Sequence, residues 1–230
     1  EKERITMNVT VKEQMYEGKA KKVFATDDPG LVLVDYKDDA TAFNGLKKGT
    51  ITGKGAINNQ MTNYLMGQLE KAGVPTHFVE ELSERETVVK KVTIVPLEVI
   101  IRNISAGSFA KRYGVEEGIV FDPPYTEVTL KDDEQGDPLI SERLCIMKGL
   151  LAPGQYDEAL GILVKVGEVL KKELAGMGLT LIDFKIEVGY DENGKMYVVD
   201  EITPDIWRVR DEQGNIPNQI DCAKLILEKI

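Results

Sequence analysis

The clearest alternation of apolar and polar positions lies in residues 181–190, LIDFKIEVGY, where the two kinds of side chain change at period two. One face of the predicted strand is therefore apolar and the other is charged. The Asn193-Gly194 pair that precedes a second alternating run is a strong hairpin signal and favours a two-residue turn. That turn predicts a register in which Glu187 lies directly opposite Asp200.

Two opposed carboxylates on neighbouring strands need an explanation. Their Cβ atoms would lie about 5 Å apart, and two unit charges at that distance repel by roughly 3 kcal/mol at an effective dielectric near 20. Solvation of an edge hairpin, protonation of one acid or a bound divalent cation would each relieve the repulsion. Mg²⁺ commonly uses one or two carboxylates together with substrate phosphates. The hairpin alone leaves these explanations open.

The first half of the chain predicts antiparallel strands and one helix. Residues 15–39 contain two predicted strands joined by a turn at 27–30, with Lys19 and Lys21 on one face of the first strand. Residues 53–73 have apolar side chains at helical spacing. Three strand-like runs follow, at residues 77–82, 87–92 and 96–104.

The second half predicts loops from Ser105, a long helix near 156–175, the hairpin, and a terminal helix from about Asp221. Strands and helices that are segregated along the chain argue for an α+β fold. We place an N-terminal β-rich domain at residues 1–94 and a C-terminal α+β domain at 95–230.

Composition excludes several classes of function. The net charge of −10 argues against nucleic-acid and membrane binding. No apolar run approaches the roughly 20 residues that span a bilayer, so we expect a cytoplasmic protein. Cys145 and Cys222 lie too far apart for a metal-binding spacing and are expected to be buried thiols. His77 is the only histidine, which excludes histidine-based triads, and we expect it to be structural.

Four further stretches combine glycine or hydroxyl residues with charges that suit phosphate groups. They are 16-YEGKAKKVF-24, 102-RNISAGSFAKR-112, 38-DDATAFNGLKKGTITGKGAINNQ-60 and 200-DEITPDIWRVRD-211. Each also has a simpler explanation: a solvated edge strand for the first, a Ser-capped helix for the second, a disordered linker for the third and a surface salt-bridge cluster for the fourth.

Nine stretches follow one another in order between about Tyr16 and Asp211: YEGKAK, KDDATAFNG, GKGAINN, GVPTHFVEEL, PLEVIIRNISAGS, EEGIVFDPP, LKDDEQGDPLI, LTLIDFKIEVG and DEITPD. Taken together, they resemble the SAICAR synthetase family, the phosphoribosylaminoimidazole-succinocarboxamide synthases of purine biosynthesis. The resemblance implies a small antiparallel β domain with a helix over a larger α+β domain, with ATP in the cleft between them.

The resemblance also implies an activity. The family uses ATP and Mg²⁺ to join carboxyaminoimidazole ribonucleotide (CAIR) to L-aspartate, releasing ADP and phosphate through an acyl phosphate. Phosphoryl transfer depends on positioning and electrostatic stabilisation, so it requires no histidine. Family members are often dimers, and we expect self-association. Two alternatives remain: a related ATP-dependent kinase or ligase acting on another small acidic substrate, and a nucleotide-sensing module without turnover.

The resemblance assigns a role to each matching position. The residues expected at the nucleotide are Lys19, Lys21, Lys90, Val95 and Lys131, and those expected to hold Mg²⁺ are Glu187 and Asp200. The residues expected to bind substrate are Asn44, Arg102, Ser108, Asp137 and Arg208. Asp183 and Lys185 are expected to face the imidazole and its carboxylate as catalytic residues.

The resemblance weakens after DEITPD. The family usually continues with a small residue or Cys and then RLWD, whereas this chain continues with IWRVRD. Arg208 remains aligned, but Arg210 and the segment from Glu212 to the last residue receive no role from the family pattern.

Overall fold

The computed structural model describes residues 7–42 and 47–228, without the side chains of residues 40–42 and 47–48. Asn44 lies outside the described residues. The elements of the first half are, in chain order, β1 (Val11–Glu17), β2 (Lys21–Thr26), β3 (Leu31–Tyr36), β4 (Asp39–Ala42), β5 (Lys47–Thr50), α1 (Lys54–Lys71), β6 (Phe78–Glu81) and β7 (Glu86–Lys90). Five of these strands form an antiparallel sheet in the order β1-β2-β3-β7-β6, and β4 pairs with β5.

The second half contains a six-stranded sheet built around one long strand, β11. Its elements are β8 (Thr93–Ile94), β9 (Leu97–Ile104), α2 (Gly107–Tyr113), β10 (Val120–Leu130), α3 (Glu142–Met147), α4 (Gln155–Ala175), β11 (Thr180–Tyr190), β12 (Met196–Val199), β13 (Trp207–Arg210) and α5 (Gln219–Leu227). The sheet order is β10-β9-β11-β12, and β8 and β13 also pair with β11.

The structure confirms most of the predicted elements and the α+β class. The turn at 27–30, the helix within 53–73, the three strands that follow it and the two later helices all form close to their predicted positions. Strand β10 was not predicted, because Pro123 and Pro124 lie within it. β10 is an edge strand, where a proline removes no hydrogen bond that the sheet needs.

The predicted hairpin register is wrong. Glu187 pairs with Val199, and not with Asp200, because the loop is one residue longer than the expected two-residue turn. The backbone N–H of Asp191 donates to the carbonyl of Lys195, and the Asp191 carboxylate accepts hydrogen bonds from the backbone of residues 193 and 195. Gly194, at φ 79°, takes the left-handed position that a three-residue loop requires.

The predicted placing of Lys19 and Lys21 on one strand is also wrong. The chain turns between β1 and β2, where the backbone N–H of Gly18 donates to the carbonyl of Lys21 at 2.8 Å. Lys19 therefore lies in the turn, whereas Lys21 begins β2.

One apolar core joins the two halves of the chain. Helix α1 contributes Met61, Leu65 and Leu69, which pack with the apolar face of the second sheet and with α4. On β11 the predicted apolar side chains Phe184 and Val188 are fully buried in that core. Because α1 packs against both sheets, the division at residue 94 stays a prediction. Both cysteines are buried and free.

His77 lies where the two sheets meet. Its backbone N–H donates to the carbonyl of Val198 at 3.0 Å, and its carbonyl accepts from the N–H of Lys90 at 2.7 Å. Burial, together with the charges of Lys21 and Lys90, lowers the pKa of His77 to about 3. The imidazole is therefore neutral in the folded protein.

No helix within the described residues is long and apolar enough to cross a membrane.

We expect His77 to make the free energy of unfolding depend on pH. Between pH 7 and pH 5 the unfolded chain takes up a proton at His77 that the folded chain excludes, so stability falls as the pH falls. With an unfolded pKa near 6.5, the loss over this interval is roughly 2 kcal/mol. Urea unfolding of the wild type and of His77→Gln at both pH values measures this difference. The same loss in both proteins would contradict the prediction.

Candidate active site

The polar side chains of the second sheet lie on the face opposite the core. Asp183, Lys185 and Glu187 share this face of β11, as the alternating pattern predicted. Across the ladder, Asp183 pairs with Arg102 of β9, and Lys185 pairs with Ile100. Beside this charged face the ion pairs Lys19–Asp133 and Lys21–Asp200 connect the first half of the chain to the second, and we call this junction the cleft.

The loop at residues 200–206 interrupts the strand that borders β11. β12 ends opposite Glu187, and β13 begins opposite Phe184, on the same edge of β11. The residues between them leave the ladder and return where the N–H of Lys185 donates to the carbonyl of Ile206 at 3.0 Å. Asp200, at φ 67°, is the first residue to leave. The loop thereby brings Asp200 to the cleft without strand pairing.

Two ion pairs lie at one end of this cleft, which we call the lysine–carboxylate end, and the first of them joins the two halves of the chain. Lys21 of β2 is paired with Asp200, and Nζ of Lys131 lies 2.5 Å from Oε1 of Glu187. Burial lowers the pKa of Lys21, while the charges of Glu201 and Glu187 oppose that shift. In contrast, the charge of Glu187 raises the pKa of Lys131 although burial opposes it.

Two residues of this end were not predicted from the sequence. Lys54, the first residue of α1, places its Nζ 3.1 Å from Oδ2 of Asp205. Oε2 of Glu201 is buried and has no hydrogen-bond partner among the residues that the structure describes. Burial raises the pKa of Glu201; the charge of Lys21 opposes this shift and that of Asp205 adds to it. Lys54 and Glu201 belong to two of the stretches that resemble the family, GKGAINN and DEITPD, but no spacing rule distinguishes them from the neighbouring residues as site residues.

The start of α1 is fixed beside the cleft by Asp38. Its carboxylate accepts hydrogen bonds from the backbone N–H groups of Gly53 and Gly55, at 3.2 and 2.9 Å, and from Arg85 at 2.9 Å. A Cβ on Gly55 would overlap the carbonyl of Tyr36. The glycines before and after Lys54 therefore allow the helix to begin where Lys54 reaches Asp205.

A second cluster, the arginine end, surrounds Asp183. The guanidinium of Arg102 lies 2.7 Å from Glu127 and 2.8 Å from Asp183. Arg208 donates to both oxygens of the same Asp183 carboxylate, at 2.9 and 2.5 Å. Arg102 and Asp183 are 5% and 4% exposed, so the pair is buried, while the side chain of Arg208 is one-third exposed. Arg112 adds a further bond to Glu127 at 3.0 Å.

The RNISAGS stretch borders the arginine end. Arg102 donates to the hydroxyl of Ser108 at 3.4 Å, and Arg208 donates to the carbonyl of Ala106 at 3.4 Å. Gly107 has φ +55°, and a Cβ on it would overlap the guanidinium of Arg208. The glycine is therefore required for Arg208 to lie where it does.

The other predicted site residues lie in several different surroundings. Lys185 bonds Glu98 at 2.5 Å, between the two ends of the cleft. Lys90 donates to two backbone carbonyls at 3.2 Å and lies 5.5 Å from the centre of the Tyr197 ring. The side chain of Val95 is buried in the core, its backbone N–H donates to the carbonyl of Val188, and its carbonyl accepts from the N–H of Leu97. The carboxylate of Asp137 accepts from the backbone N–H of Asp132 and closes its own loop.

The carboxylates suit a magnesium ion that is shared with a ligand. No group of three His, Cys, Asp or Glu side chains within residues 7–42 and 47–228 forms a complete protein metal site. Mg²⁺ normally takes one or two carboxylates and completes its shell with water and substrate phosphates. Glu187 and Asp200 provide such a pair beside two lysines, and the unpartnered oxygen of Glu201 lies on the residue next to Asp200.

An α+β fold whose cleft has lysines and carboxylates at one end and arginines at the other defines an enzyme for phosphorylated substrates. The family model described as SAICAR synthetase matches residues 14–224, and the chain belongs to that family. The predicted resemblance and the predicted ligase class are thereby confirmed.

Individual relatives support this membership. The phosphoribosylaminoimidazole-succinocarboxamide synthases of Lachnoclostridium phytofermentans and of Clostridium botulinum strain Okra are 57% and 51% identical to this chain. The alignments cover 86% and 87% of this chain and 84% and 86% of theirs. The crystal structure of the Ehrlichia chaffeensis enzyme has a TM-score of 0.88 at 36% identity, covering 94% of this chain and 98% of its own. A SAICAR synthetase in complex with ADP has a TM-score of 0.87 at 37% identity, covering 95% and 97%.

We expect Asp183→Asn to destabilise the protein, because it leaves the buried Arg102 and the adjacent Arg208 with less compensating charge. Breaking a buried ion pair from one side costs about 3 kcal/mol or more. Asp133→Asn is the matched control, since its partner Lys19 lies 3.4 Å away and both side chains are largely exposed; it should change stability by less than about 0.5 kcal/mol. Urea unfolding of both variants checks this. Equal losses would show that burial of the Asp183 cluster contributes nothing.

Proposed function

We propose that this chain catalyses the ATP-dependent ligation of CAIR with L-aspartate, forming SAICAR, ADP and phosphate in de novo purine biosynthesis. Family membership supports this reaction. The observation in the structure that supports it best is the lysine–carboxylate end. There Lys21 and Lys131, from different halves of the chain, meet Asp200 and Glu187.

The proposed nucleotide site is the lysine–carboxylate end. Lys21 and Lys131 are partly buried ammonium groups that would face the phosphates of ATP, and Lys19 in the β1–β2 turn would close over them. The family relative crystallised with ADP supports nucleotide use. In a partly desolvated cleft, fixed positive charges stabilise the charge that develops on a transferring phosphoryl group.

The residues fit a magnesium ion, with Glu187 and Asp200 as its ligands. When bound, the ion would neutralise charge on the nucleotide phosphates. Each carboxylate already has a lysine partner, so both acids face a cation before the nucleotide arrives. The lysines would exchange those carboxylates for phosphate oxygens as the nucleotide binds.

The arginine end is the proposed site for the phosphate of CAIR. Of the two arginines that Asp183 contacts, Arg208 is the accessible one, since its side chain is one-third exposed while Arg102 is nearly fully buried. Ser108 is exposed beside them. The buried Asp183 touches both arginines, and we assign it to orienting them. This assignment replaces the expected contact between Asp183 and the imidazole.

The chemistry proceeds in two displacements. A carboxylate oxygen of CAIR attacks the γ-phosphorus of ATP, the bond to the bridging oxygen breaks and ADP leaves. The aspartate amine then attacks the acyl carbon, the bond to the phosphate oxygen breaks and the amine nitrogen releases a proton. Lys185 lies between the two ends of the cleft, where its ammonium would face the reacting carboxylate.

Coupled measurement of ADP release tests the proposal. Sustained release over many turnovers only when CAIR and L-aspartate are both present supports it. Release with another small acid would favour a related kinase or ligase, and tight ATP binding without release under any condition would favour a nucleotide sensor. A homodimer in the cytoplasm also belongs to the proposal, and sedimentation of the purified protein tests the oligomeric state.

We expect Glu187→Gln and Asp200→Asn each to lower kcat by about 10²-fold, because each removes one of two carboxylates assigned to the metal–nucleotide. Both residues are partly exposed, so Tm should move by only a few degrees. Steady-state ADP release at a series of Mg²⁺ concentrations, with thermal unfolding, measures both effects.

The matched control is Glu168→Gln, which removes an exposed carboxylate of α4 outside the cleft. Its kcat should equal that of the wild type. An unchanged kcat and an unchanged Mg²⁺ requirement in both cleft variants would contradict the metal assignment.

A further inference from the structure

We propose that Glu117 is a positioning residue for the arginine end of the cleft. It lies in the loop between α2 and β10, and its Oε1 accepts a hydrogen bond from the backbone N–H of Gly107 at 2.8 Å. The inference rests on the proposed function, because it concerns the binding of the CAIR phosphate. Neither the alternation pattern nor the charged clusters of the sequence indicated this residue.

The loop that carries Glu117 is attached to the same short stretch that borders the arginines. The backbone N–H of Ser105 donates to the carbonyl of Ile119, and its carbonyl accepts from Gly118, both at 2.8 Å. Its hydroxyl donates to the carbonyl of Glu116 at 2.6 Å and accepts from the N–H of Ile119 at 2.8 Å. Ser105 is 1% exposed, so these four bonds hold the loop against a buried anchor.

Gly107 connects the loop that carries Glu117 to the arginines. Its left-handed backbone, at φ +55°, lets the Arg208 guanidinium lie where a side chain would otherwise be. Arg208 bonds the carbonyl of the preceding Ala106, and Arg102 bonds the hydroxyl of the following Ser108, both at 3.4 Å. A rotation of the peptide before Gly107 would therefore shift contacts to both arginines. The bond from Glu117 fixes that peptide.

The negative charge of Glu117 allows a positioning role to be distinguished from a direct electrostatic effect on phosphate binding, because the two predict opposite results when the charge is removed. Arg102, Arg112 and Arg208 face Asp183 and Glu127, three cations against two carboxylates. The extra carboxylate of Glu117 lowers the positive potential that an anion would meet, so by charge alone its removal would tighten phosphate binding. If Glu117 acts by holding Gly107, its removal weakens that binding.

The test compares kcat and the KM values for CAIR, ATP and aspartate in four variants. Glu117→Ala should raise the KM for CAIR about tenfold, with kcat and the other KM values nearly unchanged, because the phosphate lies away from the reacting carboxylate. Glu117→Gln keeps an acceptor oxygen and should stay within about twofold of the wild type. Glu116→Ala is the control: it removes the same charge from the neighbouring residue, whose side chain makes no hydrogen bond within the described chain. It should leave the KM for CAIR the same or lower.

Arg208→Gln separates failure of this inference from failure of the proposed function. If it raises the KM for CAIR while Glu117→Ala leaves that KM unchanged or lowers it, the positioning role is wrong and the phosphate site stands. If Arg208→Gln leaves the KM for CAIR unchanged, the phosphate site itself is wrong, and the inference with it. A parallel rise in all three KM values, with a lower Tm, in Glu117→Ala would show general loosening and would also overturn the inference.

Discussion

The interruption of the strand beside β11 is the feature on which the rest of the cleft depends. β12 and β13 border the same edge of β11, and the chain leaves that edge only between Val199 and Trp207. An uninterrupted strand would have paired its backbone there and pointed alternate side chains into the core. The loop instead places Asp200, Glu201 and Asp205 near lysines from the first half of the chain. Its attachment to Thr62 of α1 by two bonds to Ile202 keeps that displacement fixed.

An acidic chain that binds several phosphate groups must neutralise them locally. With a net charge of −10, long-range attraction opposes anionic substrates. The structure instead groups cations with carboxylates at two separate positions. At the arginine end the pairs are buried and oriented by cross-strand neighbours. The carboxylates of the arginine end, Glu127 and Asp183, have side chains that are 2% and 5% exposed, whereas those of Glu187 and Asp200 are 16% and 27% exposed. The acids of the arginine end are therefore buried, and those of the lysine–carboxylate end are partly accessible.

The sequence predicted the fold well where local rules decide the structure. Period-two alternation located β11, and apolar side chains at helical spacing located α1, because each signal comes from a single element. The hairpin register failed because the Asp191 side chain bonds the backbone of its own loop and adds a residue to it. The expected opposition of Glu187 and Asp200 was therefore wrong, although both acids reach the cleft. The position of Asp200 depends on the loop and on Lys21 of β2, which no pairing rule along one hairpin contains.

The residues that hold other residues in place were the hardest to predict. Lysine and arginine beside glycine are recognisable candidates for phosphate contacts, whereas Asp38, Ser105 and Glu117 act on backbone groups far from them in the chain. Each makes hydrogen bonds to a glycine or to a loop. Each also lies within or directly beside a motif whose lysines and arginines are the more obvious candidates for ligand binding. A motif such as RNISAGS therefore combines two kinds of position. Ser108 is exposed beside the arginines, while Ser105 holds the neighbouring loop and Gly107 leaves the space that Arg208 occupies.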